Sequence, residues 1–236
     1  MTIIETDTIE GLKRQLMRLD NLEDGVIIEN RIAGLDWPKE AETMIGLKRM
    51  ENIQYCIEEI LKNNILGDLI ETGVWRGGAC IFMRGILKVY DDTRKVFVAD
   101  SFNGFPEKLK YSVDTVEMYI RNPVLQVSRS IVEENFRKYG LLDEQVEFVE
   151  GWFKDTLPSL NGPFSLIRLD GDLFESTWDA LVNLYHKLSV GGYVIIDDYS
   201  HIAVCQLAVE MFRVKYKITE NIINIDNVGA YWKKER

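Results

Sequence analysis

The chain is short of basic charge. Its 236 residues carry 28 Lys and Arg against 38 Asp and Glu, a formal net charge of -10, with a pI near 4.9. Phosphate contacts need clustered cations, so this balance excludes DNA or RNA as the expected partner. Cysteine is scarce as well. Cys56, Cys80 and Cys205 stand far apart inside apolar helical patterns, which gives neither a disulfide framework nor a thiolate metal site and fits a reducing compartment. No apolar run reaches the roughly 20 residues that span a bilayer, and the first residues, with Glu5, Asp7 and Glu10, lack the basic start and apolar centre of a secretion signal. A cytoplasmic protein with a small-molecule partner and no membrane contact is therefore expected.

What is present is a repeating α/β pattern. With 46% hydrophobic residues the chain can bury one substantial core, so residues 1–236 are read as a single domain. Leu47, Met50, Ile53, Ile57, Ile60 and Leu61 recur at helical spacing within 42–64, and Asn63-Asn64 offers a stop. Residues 1–41 keep no steady period beyond an initial helix, so 1–67 forms a helical arm and cover for a core spanning 68–236. Strands are predicted at 68–72, 95–101, 146–150, 164–170 and 193–197, with helices at 78–90, about 130–139, 176–188 and 202–216. Ser130 and Glu133 can form a capping box, and Gly140 can take the left-handed conformation that ends a helix. Near-continuous apolar strands in such alternation mean a parallel sheet covered on both faces. Runs at 218–225 and 230–233, joined by Asp226-Asn227-Val228-Gly229, read as a closing hairpin. A Rossmann-like, mostly parallel seven-stranded sheet with a terminal antiparallel hairpin is the outline of the class I S-adenosylmethionine-dependent methyltransferase fold. The stretch 102–128 is too long for an ordinary connection and reads as a substrate lid.

Ligands of an open α/β sheet sit beyond the carboxyl ends of its strands, and here those ends are acidic. The first strand runs into Glu71-Thr72-Gly73-Val74-Trp75-Arg76-Gly77-Gly78. Its glycines lack the three-glycine spacing that cradles a pyrophosphate, which favours a nucleoside cofactor over a dinucleotide. Asp100, ending the second strand, is suited to accept both ribose hydroxyls. Trp152, just past the third, is placed either to pack on an adenine ring or to serve as ordinary core. Asp170, Asp197 and Asp198 would stand close together at the ends of neighbouring strands, with Asp172 nearby. Like charges so close call for a divalent cation, and oxygen-only ligands favour Mg²⁺. Asp172 and Asp198 could instead cap the helices that follow them. Asp170, at the switch point of the sheet, is the candidate general base of such a site, with His201 as its rival.

Seven stretches carry a family resemblance: Asp36-Trp37-Pro38, Thr43-Met44-Ile45-Gly46, the glycine turn from Glu71 to Gly78, Ala99-Asp100-Ser101-Phe102, Gly151-Trp152-Phe153-Lys154-Asp155-Thr156-Leu157-Pro158, Leu169-Asp170-Gly171-Asp172 and Ile196-Asp197-Asp198-Tyr199. Through them the chain resembles the macrocin O-methyltransferase family, whose members methylate sugar hydroxyls on antibiotics. The resemblance implies S-adenosylmethionine as donor and a sugar or glycoside as acceptor. It implies a cofactor pocket lined by Met44, Glu71, Thr72, Gly73, Asp100, Ser101, Gly151, Trp152 and Asp170. It also implies Mg²⁺ on Asp170, Asp197 and Asp198, in the manner of catechol O-methyltransferase, and a homo-oligomer of two or more subunits. The lid and the extreme N-terminus depart from the family pattern, so the identity of the sugar does not carry over.

Overall fold

Short apolar runs bounded by turns build the sheet, and the longer amphipathic segments cover it. The computed structural model describes residues 8–107, 109–114 and 123–236, so part of the expected lid, at 108 and 115–122, lies outside the described residues. The strands are β1 (Asp68–Thr72), β2 (Val96–Asp100), β3 (Val146–Glu150), β4 (Phe164–Leu169), β5 (Leu188–Ile196), β6 (Ile223–Asn224) and β7 (Ala230–Lys233). The helices are α1 (Ile9–Leu16), α2 (Ile28–Ala33), α3 (Leu47–Lys62), α4 (Gly78–Val89), α5 (Arg129–Lys138), α6 (Phe153–Thr156), α7 (Phe174–Leu184) and α8 (Ala203–Tyr216). The sheet order is β3-β2-β1-β4-β5-β7-β6. β1 to β5 pair in parallel, and β7 runs antiparallel to both β5 and β6. The chain therefore winds outward in both directions from β1, which puts the switch point between β1 and β4.

Alternation along each strand splits the interior in two. Leu69, Val98, Leu166, Tyr193 and Ile195 face one core with residues of α3 and α4. Ile70, Ala99, Ile167, Val194 and Ile196 face the other, with residues of α7 and α8. β4 is buried at every position, as a central parallel strand must be.

Three expectations change in detail. β5 begins at Leu188, five residues ahead of the predicted 193, because Gly191, at φ 90°, and Gly192 sit inside the strand, where its register with β4 shifts. A glycine pair that reads as a turn here makes an irregularity within the strand. The capping box at Ser130 does not form. Ser128 is the N-cap of α5, and Glu133 is drawn to Arg129 at 2.8 Å and Arg137 at 3.2 Å. The hairpin is shorter than 218–225 suggests, since β6 keeps only two residues and Asp226 turns the chain by accepting N–H bonds from Val228 and Gly229. Gly140, at φ 63°, follows the end of α5, and Asn63 and Asn64 close α3 as their sequence suggests. All three cysteines are free and buried. Among the described residues no helix is long and apolar enough to cross a membrane.

The N-terminal arm is organised by a buried cation. Arg31 is 1% exposed and donates to Asp36 at 2.7 Å, Glu23 at 2.6 Å and the Met17 carbonyl at 2.8 Å. Burial works against ionisation of Glu23, but the guanidinium and two backbone N–H groups outweigh it and hold its pKa at about 2. The folded value lies below the ordinary one, so the stabilisation is complete above pH 4.5 and disappears as the pH falls toward 2. Glu23→Gln is expected to lower stability at pH 7 by about 2 kcal/mol. In urea titrations across pH the gap from the parent should close below pH 4 and be unchanged between pH 6 and 8.

Candidate active site

Beyond the carboxyl ends of β1 to β5 lies a cavity of about 1090 Å³, shared by strand ends, arm and residues of the segment expected as a lid. Its floor is set by two strands meeting at a glycine. Gly73 has φ 84° and donates to Ala99, while Asp170 donates its N–H to Thr72, both at 2.9 Å. A Cβ on Gly73 would stand 1.8 Å from the Asp170 carbonyl oxygen, so no side chain fits there without parting β1 from β4. The arm lies directly on Gly78. Gly78 donates to the Glu42 carbonyl at 3.0 Å, and Arg76 donates to the carbonyls of Pro38 and Ala41. Glu42 is fixed in turn by the Tyr139 hydroxyl at 2.7 Å and by Lys138. This strap carries Met44, half-buried, into the cavity wall.

On the β2 side, Asp100 accepts the N–H groups of Val74 and Phe102, each at 2.8 Å. Burial pushes its pKa up, and those N–H groups together with Ser101 oppose the push. Ser101 donates to the Gly104 carbonyl at 2.8 Å, which shapes the start of the lid. Gly151, at φ 139°, donates to the Asp100 carbonyl, and Trp152 follows it, half-buried on the cavity wall at the start of α6.

The β4 and β5 ends form the acidic half. Arg168 is wholly buried in β4, and its guanidinium pairs with Glu71, Asp170 and Asp197. Arg49 of α3 takes the other Asp197 oxygen and lies 3.2 Å from Asp226. Burial raises Glu71 to about 7, against the pull of Arg168, and the buried Cys80 thiol donates to it. Glu71 thus borders the cavity with its carboxylate committed to the floor.

One carboxylate oxygen from each of Asp170, Asp172 and Asp198 lies within 4.8 Å of the other two. Burial raises all three, Asp170 to about 6 with repulsion from Asp197, Asp172 to about 7 with repulsion from Asp170, and Asp198 well above the usual range with repulsion from Asp172 and Asp170. One Asp198 oxygen is buried with no hydrogen-bond partner. Asp197, expected in this group, is turned away from it. Successive strand residues face opposite sides, so Asp197 continues the Tyr193 and Ile195 face toward Arg49 and Arg168, while Asp198 continues the other. Asp172, at φ 58°, takes its place. Neither acid caps a helix through its side chain. The N-cap of α7 is Leu173 and that of α8 is Ile202, and the free N–H groups of Phe174 and Glu175 are taken by Asp114 of the lid at 2.7 and 3.0 Å. His201 is exposed on the cavity wall in the turn before α8. Sequence reasoning missed Arg168 and Arg49. The signal for Arg168 was present, an arginine inside the apolar run Ile167-Arg168-Leu169 with acids on either neighbouring strand.

Residues 8–234 match the Macrocin-O-methyltransferase (TylF) family. The chain belongs to this family. It is 54% identical over 213 residues to the demethyldecarbamoylnovobiocin O-methyltransferase of Streptomyces niveus, covering 88% of this chain and 81% of that one. It is 52% identical over 208 residues to the 8-demethyl-8-(2,3-dimethoxy-alpha-L-rhamnosyl)-tetracenomycin-C 4'-O-methyltransferase of Streptomyces olivaceus, covering 86% and 79%. The solved structure of the O-methyltransferase NovP superposes with a TM-score of 0.92 at 49% identity, over 97% of this chain and 98% of that one. As a TylF-family protein with the class I sheet, the chain is an S-adenosylmethionine-dependent O-methyltransferase.

Arg168 is the member of this TylF-family site whose removal should cost most in stability. Arg168→Met leaves Glu71, Asp170 and Asp197 facing one another without their shared cation. A loss of about 3–5 kcal/mol in unfolding free energy is expected from urea denaturation.

Proposed function

We propose that the enzyme transfers the methyl group of S-adenosylmethionine to a sugar hydroxyl of a glycosylated natural product, with Mg²⁺ in its acidic corner. The observation that carries the metal is the trio Asp170, Asp172 and Asp198 with its partnerless buried oxygen. Opposite ligands of an octahedral Mg²⁺ stand about 4.2 Å apart, so the trio is of the right size and chemistry. The sugar is supported by the relatives' names, one of which specifies the 4'-oxygen of a rhamnosyl-bearing tetracenomycin.

Asp100, with its backbone donors already in place, accepts the ribose hydroxyls, and Trp152 packs against the adenine. Gly73, with no side chain, leaves the cavity open at the switch point, where the reacting methyl would lie, while Thr72 is buried in β1 beside it. Asp170, Asp172 and Asp198 would hold Mg²⁺. A bound ion there supplies orientation of the acceptor oxygen and stabilisation of its developing negative charge. The acceptor oxygen forms a bond to the methyl carbon as the carbon–sulfur bond breaks, and S-adenosylhomocysteine leaves. Asp170 is held by Arg168 at 2.7 Å, which suits a fixed ligand better than a base. Asp172 is paired to no arginine among the described residues, and it takes the hydroxyl proton. His201, exposed at the rim, passes that proton to solvent.

Asp172→Asn should lower kcat by about 10²- to 10⁴-fold with S-adenosylhomocysteine affinity kept, whereas His201→Asn should lose far less. Chelation should stop turnover and added Mg²⁺ restore it. Asp198→Asn should abolish that response, and Asp100→Ala should weaken S-adenosylhomocysteine binding in calorimetry by about tenfold or more. Turnover indifferent to a chelator would remove the metal from this scheme, and no methyl transfer to any glycoside would remove the acceptor class.

A further inference from the structure

One carboxylate in the cavity wall has nothing in the protein to bond. Asp179, in the second turn of α7, is only 7% exposed and borders the cavity. Its main-chain carbonyl accepts from Asn183 at 2.8 Å, but among the described residues its side chain accepts no hydrogen bond and forms no ion pair. Burial pushes its pKa up, with Glu175 and Asp155 adding to the push, while Lys110 and Lys154 act from a distance in favour of the charged form. A buried acceptor of this kind costs stability until a donor meets it. The donor has to come from the cavity.

The neighbours of Asp179 fix the part of the cavity it faces. Glu175 and Ser176 stand one turn earlier on the same side of α7, and both border the cavity. Gly171 brings this turn against α6, since a Cβ there would stand 2.7 Å from the Ser176 Cβ and 3.4 Å from the Phe153 ring. Phe153 and Lys154 open α6 directly after Trp152, and all three border the cavity. Across the opening, Lys110 donates its N–H to Glu175 at 3.0 Å, and the Tyr111 ring meets Phe174 edge-on at 5.0 Å. Asp179 thus belongs to the wall that α6 continues from Trp152, the residue assigned to the adenine. Stacking on an indole holds any purine about equally well, so Trp152 by itself gives no preference for adenine. The ring nitrogens of adenine accept hydrogen bonds, whereas its 6-amine donates. A charged carboxylate with no other partner is the complement of that amine.

We propose that Asp179 accepts a hydrogen bond from the 6-amine of the cofactor's adenine and thereby selects adenosyl over 6-oxopurine nucleosides. This rests on the proposed seat of the adenine at Trp152 and names the group that reads the edge of the base. A 6-oxopurine turns a carbonyl oxygen toward the carboxylate, so the buried acceptor stays unpaired and two oxygens repel. Asp179 meets the cofactor far from the reacting methyl, and it sets specificity through cofactor affinity.

The test is equilibrium binding by calorimetry, with S-adenosylhomocysteine and S-inosylhomocysteine as probes. The two differ in the 6-amino or 6-oxo group and the proton on the adjoining ring nitrogen. The parent enzyme should bind the adenosyl compound about 30-fold or more tightly. Asp179→Asn, whose amide can donate to a 6-oxo group, should bring the two affinities within about threefold by tightening the inosyl compound and weakening the adenosyl one. Asp179→Ala should weaken the adenosyl compound by about tenfold and leave the inosyl compound no weaker than in the parent. Cooperative thermal melting and retained binding of S-inosylhomocysteine report that each variant is folded. Glu175→Gln, on an acid of the same wall that already holds the Lys110 N–H, should keep the full preference. Equal affinities of the parent for the two probes, or a preference that survives both substitutions of Asp179, would overturn the assignment. So would loss of affinity for methyl α-L-rhamnopyranoside in Asp179→Asn with the nucleoside preference intact, which would move Asp179 to the acceptor. A parent that binds both nucleosides alike and methylates glycosides leaves the proposed function standing and this inference refuted. A parent that binds neither nucleoside refutes the proposed function itself.

Discussion

The ion pairs of Arg168 are the constraint on which the site depends. A parallel sheet brings the ends of β1, β4 and β5 together, and in this chain those ends carry Glu71, Asp170 and Asp197. Three carboxylates cannot share a dry corner without a cation. Arg168 supplies one from within the sheet, and Arg49 supplies a second from α3. With that half of the acid neutralised internally, Asp172 and Asp198, joined by one edge of Asp170, are the carboxylates without an arginine partner of their own, and it is these that the proposed Mg²⁺ would take. The division of labour is set by strand alternation: one face of β5 sends Asp197 to the arginines, and the other sends Asp198 to the cavity.

Much of the fold is legible in the chain because its strands are apolar on both faces and its helices are periodic. β1 and β3 fall at the predicted residues, and the order of the other strands and of α4, α5, α7 and α8 follows from alternation, whereas the short α6 between β3 and β4 does not. The departures share a cause, a residue whose local preference is overruled by a neighbour in space. Gly191 and Gly192 look like a turn until β4 pairs across them, and Glu133 looks like half of a capping box until Arg129 and Arg137 claim it.

The acidic corner was legible as a corner but not as a set of ligands. The acids at strand ends could be counted from the sequence, and Asp170 and Asp198 do approach each other. Which third carboxylate joins them depends on where Arg49 and Arg168 point, and pairwise spacing carries no information about that. Asp172 is brought in by a left-handed backbone that nothing in its side chain announces. Asp114 is a similar case, since a lid residue far along the chain caps α7 and links the cavity wall to the segment that follows Asp172.

The connection between β6 and β7 braces the acidic corner from outside the parallel strands. Asp226 stands against Arg49, Gly229 packs on the same arginine, and Val228 accepts an N–H bond from Ser200 just past the acid pair. Every other contributor to the catalytic floor precedes these residues in the chain. Any displacement of that hairpin therefore shifts the counter-charge of Asp197 as well, because one guanidinium serves both.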